Sequence, residues 1–267
     1  MEDSKKLSKK LLELMDKDIN FFKTLQNSNL INHLVYYPAE RILISIFADS
    51  IFSLIRNKTL IPDCIINFGR VFEKARNEIK NYQIPFLEDT KIFTENNKNL
   101  IEISENKNIP LTKTSSGMQS SIPLALITEY YSQEKNVLFI CEEPEINLYP
   151  FTQKKLSYFL SEKCLKNNNH LIITTHSPYI LTSFSNLIEA GNCYNSDEET
   201  KEKLRKIIPE KYWLDFENVS AYYISDGIAK DILDYEDKNI DTNAIDDVSE
   251  EINIELDNIL DLKYEDK

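Results

Sequence analysis

Glycine is scarce in this chain: only Gly69, Gly117, Gly191 and Gly227 among 267 residues, against roughly 7% in an average protein. A phosphate-cradling Walker A loop, Gly-x4-Gly-Lys, needs two glycines five positions apart so that backbone N–H groups can turn toward an anion. No pair here has that spacing, and the dinucleotide fingerprint Gly-x-Gly-x-x-Gly is excluded in the same way. Any nucleotide chemistry must therefore do without its usual phosphate loop or take one from elsewhere. Cysteine is equally sparse: Cys64, Cys141, Cys164 and Cys193 are too widely spaced for a zinc site or a disulfide framework. Long apolar runs are missing too. The most apolar stretch, 42–55, is broken by Asp49 and falls short of the roughly 20 residues of a membrane span. The N-terminal residues enter an amphipathic pattern without the apolar core of a signal peptide. A reduced, cytoplasmic protein with no membrane contact is expected.

Positive charge is also in deficit. The 31 Lys and Arg face 44 Asp and Glu, a net of −13. Residues 230–267 hold 14 acids and four lysines, so −10 of that charge lies in the last segment. Repulsion from phosphate makes it a poor nucleic-acid surface. Within it Val248, Ile252, Leu256, Ile259 and Leu260 recur at helical spacing, which predicts an amphipathic helix over 246–262. Such a helix either packs back on the domain or docks a partner.

Apolar residues make up 42% of the chain and aromatics 10%, enough for one ordinary core or two small ones. Helices are predicted over 4–26, 39–56 and 68–82, with a short strand at Leu34-Val35-Tyr36-Tyr37 stopped by Pro38. Alternating pieces at 91–93 and 100–103, separated by a polar turn, predict a hairpin. Further on, the apolar runs 137–141 and 170–175 are each followed by a helical pattern, over 151–166 and 178–188. Strands alternating with helices in this way are the signature of a covered parallel sheet. Ser220-Ala221-Tyr222-Tyr223-Ile224 is a third candidate strand, and 191–203 reads as an exposed, acid-rich connection. The expected fold is α/β, a mainly parallel sheet flanked by helices. Residues 1–110 form a helical region with a short strand and hairpin, 111–229 the central lobe, and 230–267 the acidic segment.

Three segments carry chemistry. Thr114-Ser115-Ser116-Gly117-Met118-Gln119-Ser120 opens a helical stretch, where small residues expose backbone N–H groups at the positive end of a helix dipole. That arrangement receives an anion such as phosphate, and it also suits an ordinary serine N-cap. Glu142-Glu143-Pro144-Glu145 follows the strand 137–141, at the carboxyl end where ligands of parallel sheets bind. There one acid can hold Mg²⁺ and the next can polarise an attacking water; the plainer reading is a solvated acidic turn. His176-Ser177-Pro178 follows the strand 170–175, which lets the imidazole reach a crevice or serve structurally. His33 and His170 have no such setting and read as structural.

In this order, Ser115-Ser116-Gly117-Met118-Gln119, Cys141-Glu142-Glu143-Pro144-Glu145-Ile146-Asn147-Leu148-Tyr149-Pro150 and Thr174-Thr175-His176-Ser177-Pro178 resemble the C-terminal half of an ABC-type ATPase. The likeness is to the group that includes the OLD (overcoming lysogenization defect), RecF and SMC ATPases. It extends to Tyr37-Pro38-Ala39-Glu40-Arg41, which looks like a segment common in OLD-like ATPases, and to the closing stretch 224–260. The resemblance implies ATP and Mg²⁺ as ligands. Glu142 takes the place of the Walker B acid that supports the metal, with Glu where Asp is commoner. Glu143 takes that of the catalytic base, and His176 that of the residue sensing the γ-phosphate. Ser115, Ser116, Gly117 and Gln119 correspond to the signature loop, which contacts ATP held by an opposing head. Ser116 replaces the usual glycine, so either serine can lead. Asn147 and Tyr149 correspond to the D-loop across that dimer.

Family members place Walker A upstream of these motifs, and this sequence has none. Three explanations follow: one product of a split ATPase, a piece of a longer one, or a scaffold that no longer hydrolyses ATP. The resemblance therefore implies a partner lobe or subunit bearing Walker A and a homo- or hetero-oligomer closed over sandwiched ATP. It also implies a role in anti-phage defence or DNA maintenance, with an effector nuclease or toxin under its control and any DNA contact made through a partner. No metal-binding nuclease pattern follows residue 180, so the chain is not expected to be the nuclease.

Overall fold

A computed structural model describes residues 31–47, 61–87, 90–95, 98–104, 107–241 and 254–259. The helix expected over 4–26 and the part of 39–56 beyond Phe47 lie outside them. The chain divides into two compact units, residues 1–147 with 163–174, and residues 148–162 with 175–267.

The first unit is organised by a three-stranded parallel sheet, with the strand Val137–Glu142 between His33–Tyr37 and His170–Thr174. In chain order these are β1 (His33–Tyr37), β6 (Val137–Glu142) and β7 (His170–Thr174). Val137, Leu138, Phe139 and Cys141 of β6 are buried, the near-continuous apolar run of a strand covered on both faces. Between β1 and β6 the chain forms α1 (Ile42–Phe47) after a tight turn at Ala39–Arg41, α2 (Asp63–Glu78) and α3 (Ser116–Tyr131). It also forms an antiparallel sheet of β2 (Asn81–Gln83), β3 (Lys91–Glu95), β4 (Lys98–Ser104) and β5 (Lys107–Pro110). The expected hairpin is β3–β4, with the buried Ile92 opposite the buried Ile101.

The α2 helix buries Ile65, Phe68, Phe72 and Ala75, one face at a spacing of three and four, against β1 and α3. It was expected over 68–82. Instead it starts five residues earlier, straight after Pro62, and stops at Glu78 because residues 81–83 pair with β3. The α3 helix is buried on nearly all sides, from Ser120 through Thr128. Its Pro123 cannot donate to the Gln119 carbonyl, and the Ser45 hydroxyl of α1 donates there instead at 2.7 Å. Tyr37 is fully buried, stacked beside Phe139 with ring centroids 6.4 Å apart, and its hydroxyl shares a 2.8 Å hydrogen bond with Thr128.

The second unit contains α4 (Pro150–Cys164) up to residue 162, α5 (Pro178–Asn192) and α6 (Glu198–Ile207), followed by two short hairpins. The third strand expected in the parallel sheet, 220–224, is not there; β1 takes that place. The chain forms β8 (Tyr222–Ser225) antiparallel to β9 (Ile228–Asp231). Asp226 and Gly227 between them have φ of 51° and 74°, the left-handed pair that closes a two-residue hairpin. The second hairpin is β10 (Leu233–Asp234) with β11 (Asn239–Ile240). The connection expected at 191–203 is largely helical, with α6 capped by the Asp197 carboxylate accepting from the Thr200 N–H at 3.0 Å. Of the predicted helix over 246–262, residues 254–259 are described. They are helical and leave Ile254, Leu256 and Ile259 more than half exposed.

Two adjacent residues of α5 anchor this unit's core: Ile188 packs with Phe216, Ile232 and Ile240, and Leu187 with Ala190 and Ile208. The Leu214 N–H donates to the Leu187 carbonyl at 3.0 Å, which brings its backbone against the helix at Gly191. A Cβ added at Gly191 would lie 1.8 Å from the Leu214 carbonyl oxygen. Gly191→Ala must push that segment away, and a loss of about 3 kcal/mol of stability is expected in urea denaturation. A variant within about 0.5 kcal/mol of the parent would contradict this packing.

Candidate functional site

The chemistry-bearing turn grows out of the end of β6. Its apolar run stops at Glu142, whose ladder partner is Thr174, the last residue of β7. The Glu143 N–H still donates to the Thr174 carbonyl at 2.8 Å, but its φ of 41° turns the chain out of the sheet. Pro144 has no N–H to continue a ladder, and the Ile146 N–H closes the turn onto the Glu143 carbonyl at 3.1 Å. Asn147, at φ 62°, is exposed at the exit of this turn. A non-glycine residue held at positive φ costs of order 1–3 kcal/mol and persists where its surroundings over-determine it.

All three acids of the turn, Glu142, Glu143 and Glu145, are half-buried. The Glu142 carboxylate accepts from the Ala39 N–H at 3.2 Å and is hydrogen-bonded to Tyr36. Burial, followed by that hydrogen bond and the Glu142 charge, holds the Tyr36 phenol well above its ordinary range. Cys141, fully buried beneath them, has its thiol pushed up to about 12 by burial, with Arg41 the neighbour that pulls it down. A thiol so protonated is no nucleophile at neutral pH.

Arg41 was not assigned a role by the sequence beyond its place in a recurring segment. It is completely buried. Its Nε donates to the Ser120 carbonyl at 3.2 Å, Nη1 to the carbonyls of Pro38 at 3.2 Å and Glu142 at 2.8 Å, and Nη2 to those of Glu143 at 2.8 Å and Pro144 at 3.1 Å. An arginine directly after a strand-and-proline turn was the available signal. Its carbonyl partners lie 79 to 103 residues away, Pro38 excepted, and leave no pattern in the sequence.

The serine-rich segment caps α3. Ser115 is the N-cap residue and accepts from the Met118 N–H at 3.3 Å, so the capping alternative is realised. Ser115 and Ser116 are nonetheless exposed, and the first turn carries no acidic residue. Gly117 is buried, and its carbonyl accepts from the hydroxyls of Ser120 at 3.1 Å and Ser121 at 2.6 Å. The Gln119 side chain turns back to the Thr112 and Thr114 carbonyls, at 3.3 and 2.8 Å, and fixes the approach to the helix. The Ser120 hydroxyl also reaches the Ile146 carbonyl at 3.2 Å. Together with Arg41, that contact ties the start of α3 to the acidic turn. Within the first unit the structure thus gathers Ser115, Ser116, Gly117, Gln119, Glu142, Glu143 and Asn147 at one end.

Tyr149 and His176 belong to the second unit, and both are exposed. The Tyr149 carbonyl accepts from the N–H groups of Thr152 and Gln153 at 2.8 and 3.0 Å, opening α4. His176 immediately precedes Ser177, which caps α5 by accepting from Tyr179 and Ile180 and donates to Gln153 Oε1 at 2.6 Å. The strand-to-helix turn carrying His176 is therefore fixed on its C-terminal side.

Among the described residues, no group of three or more His, Cys, Asp or Glu side chains could hold a metal ion. Mg²⁺ does not need one: it takes one or two carboxylates and draws the rest of its shell from water and phosphate. Glu142 fits such an ion arriving with a nucleotide, and does not suit a resident one. No helix among the described residues is long and apolar enough to cross a membrane.

The AAA ATPase domain family matches residues 1–181. This chain belongs to that family. Membership of the AAA ATPase domain family carries nucleotide binding and ATPase function in general, with Mg²⁺ as the usual companion of the nucleotide. A solved structure from work on ATP-driven dimerization and DNA-stimulated activation of SMC ATPases is similar at 12% identity and a TM-score of 0.41, over 70% of this chain and 96% of the other. No curated protein matches the sequence.

Proposed function

We propose that this chain supplies the catalytic acids and the signature helix of an ABC-type, OLD-like ATPase, and that it hydrolyses ATP only with a lobe bearing Walker A. One observation carries the reading. Adjacent carboxylates end the central strand of a parallel sheet, and their turn is tied by Ser120 and Arg41 to a helix whose exposed N-terminus suits an anion. In this reading Glu143 orients the attacking water and accepts its proton, and Glu142 is the acid that would hold Mg²⁺. Bound Mg²⁺ supplies charge neutralisation on the phosphates. Ser115, Ser116 and the first N–H groups of α3 receive the γ-phosphate of a nucleotide bound to an opposing head, with Gln119 fixing the approach to that loop. Asn147 and Tyr149 line the opposing head as its D-loop, and His176 contacts the transferring phosphate.

The need for another lobe rests on the missing Gly-x4-Gly-Lys and on β7. Among the described residues β7 pairs only with β6, and its apolar Ile172 is 38% exposed. Such an uncharged parallel edge is suited to a further strand from the P-loop lobe. The OLD-like motif order is the support for a further step, in which turnover controls an effector nuclease or toxin in anti-phage defence or DNA maintenance. A second reading, a non-hydrolysing interaction module, draws on the exposed apolar residues of 254–259 and of the β8–β9 hairpin.

Phosphate release from Mg·ATP separates the two readings. The chain alone should release almost none. Adding a separate lobe that bears Walker A should give sustained phosphate release, abolished by EDTA. Hydrolysis by the chain alone, or none in any combination, sinks the proposal.

A further inference from the structure

The buried Arg41 guanidinium has five N–H donors, and all five are used on backbone carbonyls of three separate segments. Two of those segments hold the residues named above, the start of α3 and the acidic turn; the third is the turn after β1. Buried arginines ordinarily face carboxylates or phosphates. This one faces main chain at a point where the chain leaves the sheet.

The effect falls on Glu143. Its N–H is held by the Thr174 carbonyl at 2.8 Å, and its C=O by Arg41 Nη2 at 2.8 Å together with the Ile146 N–H of the turn at 3.1 Å. The peptide planes on both sides of its Cα are therefore fixed, and they hold φ at 41°. That conformation sets the direction in which the Glu143 side chain leaves the backbone. Through Nε the same guanidinium fixes Ser120, five residues from the Ser115 cap.

We infer that Arg41 is a positioning residue for hydrolysis, a clamp that sets the Glu143 carboxylate in register with the signature end of α3. The inference rests on the ATPase reading above. A carboxylate displaced by about 1 Å is expected to lose about 100-fold in rate, while nucleotide binding, which Arg41 does not touch, stays close to normal.

Two variants test this, because loss of five hydrogen bonds can unfold a chain: Arg41→Lys keeps the charge, and Arg41→Gln keeps a planar donor without it. Hydrogen exchange on the full chain without nucleotide should quicken at 115–121 and 142–147 while the α2 amides hold. With the P-loop lobe added, kcat should fall about 100-fold and KM for ATP should stay within about threefold. A kcat within about threefold of the parent in both variants overturns the role. So does unchanged exchange at 142–147, or exchange that quickens across the whole chain in both variants. If the parent itself shows no turnover with the P-loop lobe, the ATPase reading fails, and the exchange pattern alone still decides whether the clamp exists.

Discussion

Glu143→Gln lowers phosphate release by the assembled ATPase about a thousandfold and leaves ATP-driven association intact. The amide has the shape of the carboxylate but cannot accept the proton of the attacking water. The backbone is untouched by the change: the N–H to Thr174 and the C=O from Arg41 remain, and glutamine meets the same cost at a φ of 41° as glutamate. Two measurements check this, phosphate release under saturating Mg·ATP and size-exclusion chromatography of the complex with ATP present. Turnover at the parent rate would remove Glu143 from the reaction. A variant that neither turns over nor associates would place the residue in nucleotide binding instead.

The parts of this fold legible in the sequence are those whose signal is local. Val137 to Cys141 read as a covered strand because five successive apolar residues admit few other uses, and β6 is central and buried. The acids after it could be placed at a strand end on the same ground. The serine-glycine helix start was visible, and the cap at Ser115 is what such residues form. Pairing was not legible. Nothing in Tyr222 to Ile224 says that they leave the parallel sheet, yet Ser225-Asp226-Gly227-Ile228 contains the Asp-Gly pair that favours a tight hairpin, and that pair decides the outcome. The C-terminal limit of α2 was misplaced because its residues would continue a helix if β3 did not take 81–83 as a strand. Arg41 is the furthest from sequence reach, since its role consists of hydrogen bonds to carbonyls, which every residue type has.

Ser116→Glu should abolish ATP-driven association while leaving the isolated chain as stable as before, or slightly more so. Ser116 is the first residue of α3, exposed, one position after the Ser115 cap, in a first turn without an acid. A carboxylate there interacts favourably with the helix dipole, by about 0.3–1 kcal/mol. The same charge opposes a phosphate approaching those N–H groups. At 4 Å and an effective dielectric of 20, one unit charge repels another by about 4 kcal/mol, roughly a factor of several hundred to a thousand in affinity. Stability and association are thus driven in opposite directions by one substitution, which a general loss of folding cannot imitate. The experiment is cleanest in a Glu143→Gln background, where ATP persists and the closed state accumulates. Ser116→Ala, which removes the hydroxyl and leaves the backbone donors, serves as the uncharged control and should associate far better than the glutamate variant. Undiminished association of Ser116→Glu would mean that no anion is received at α3, and Ser115 would then be only the cap of a buried helix.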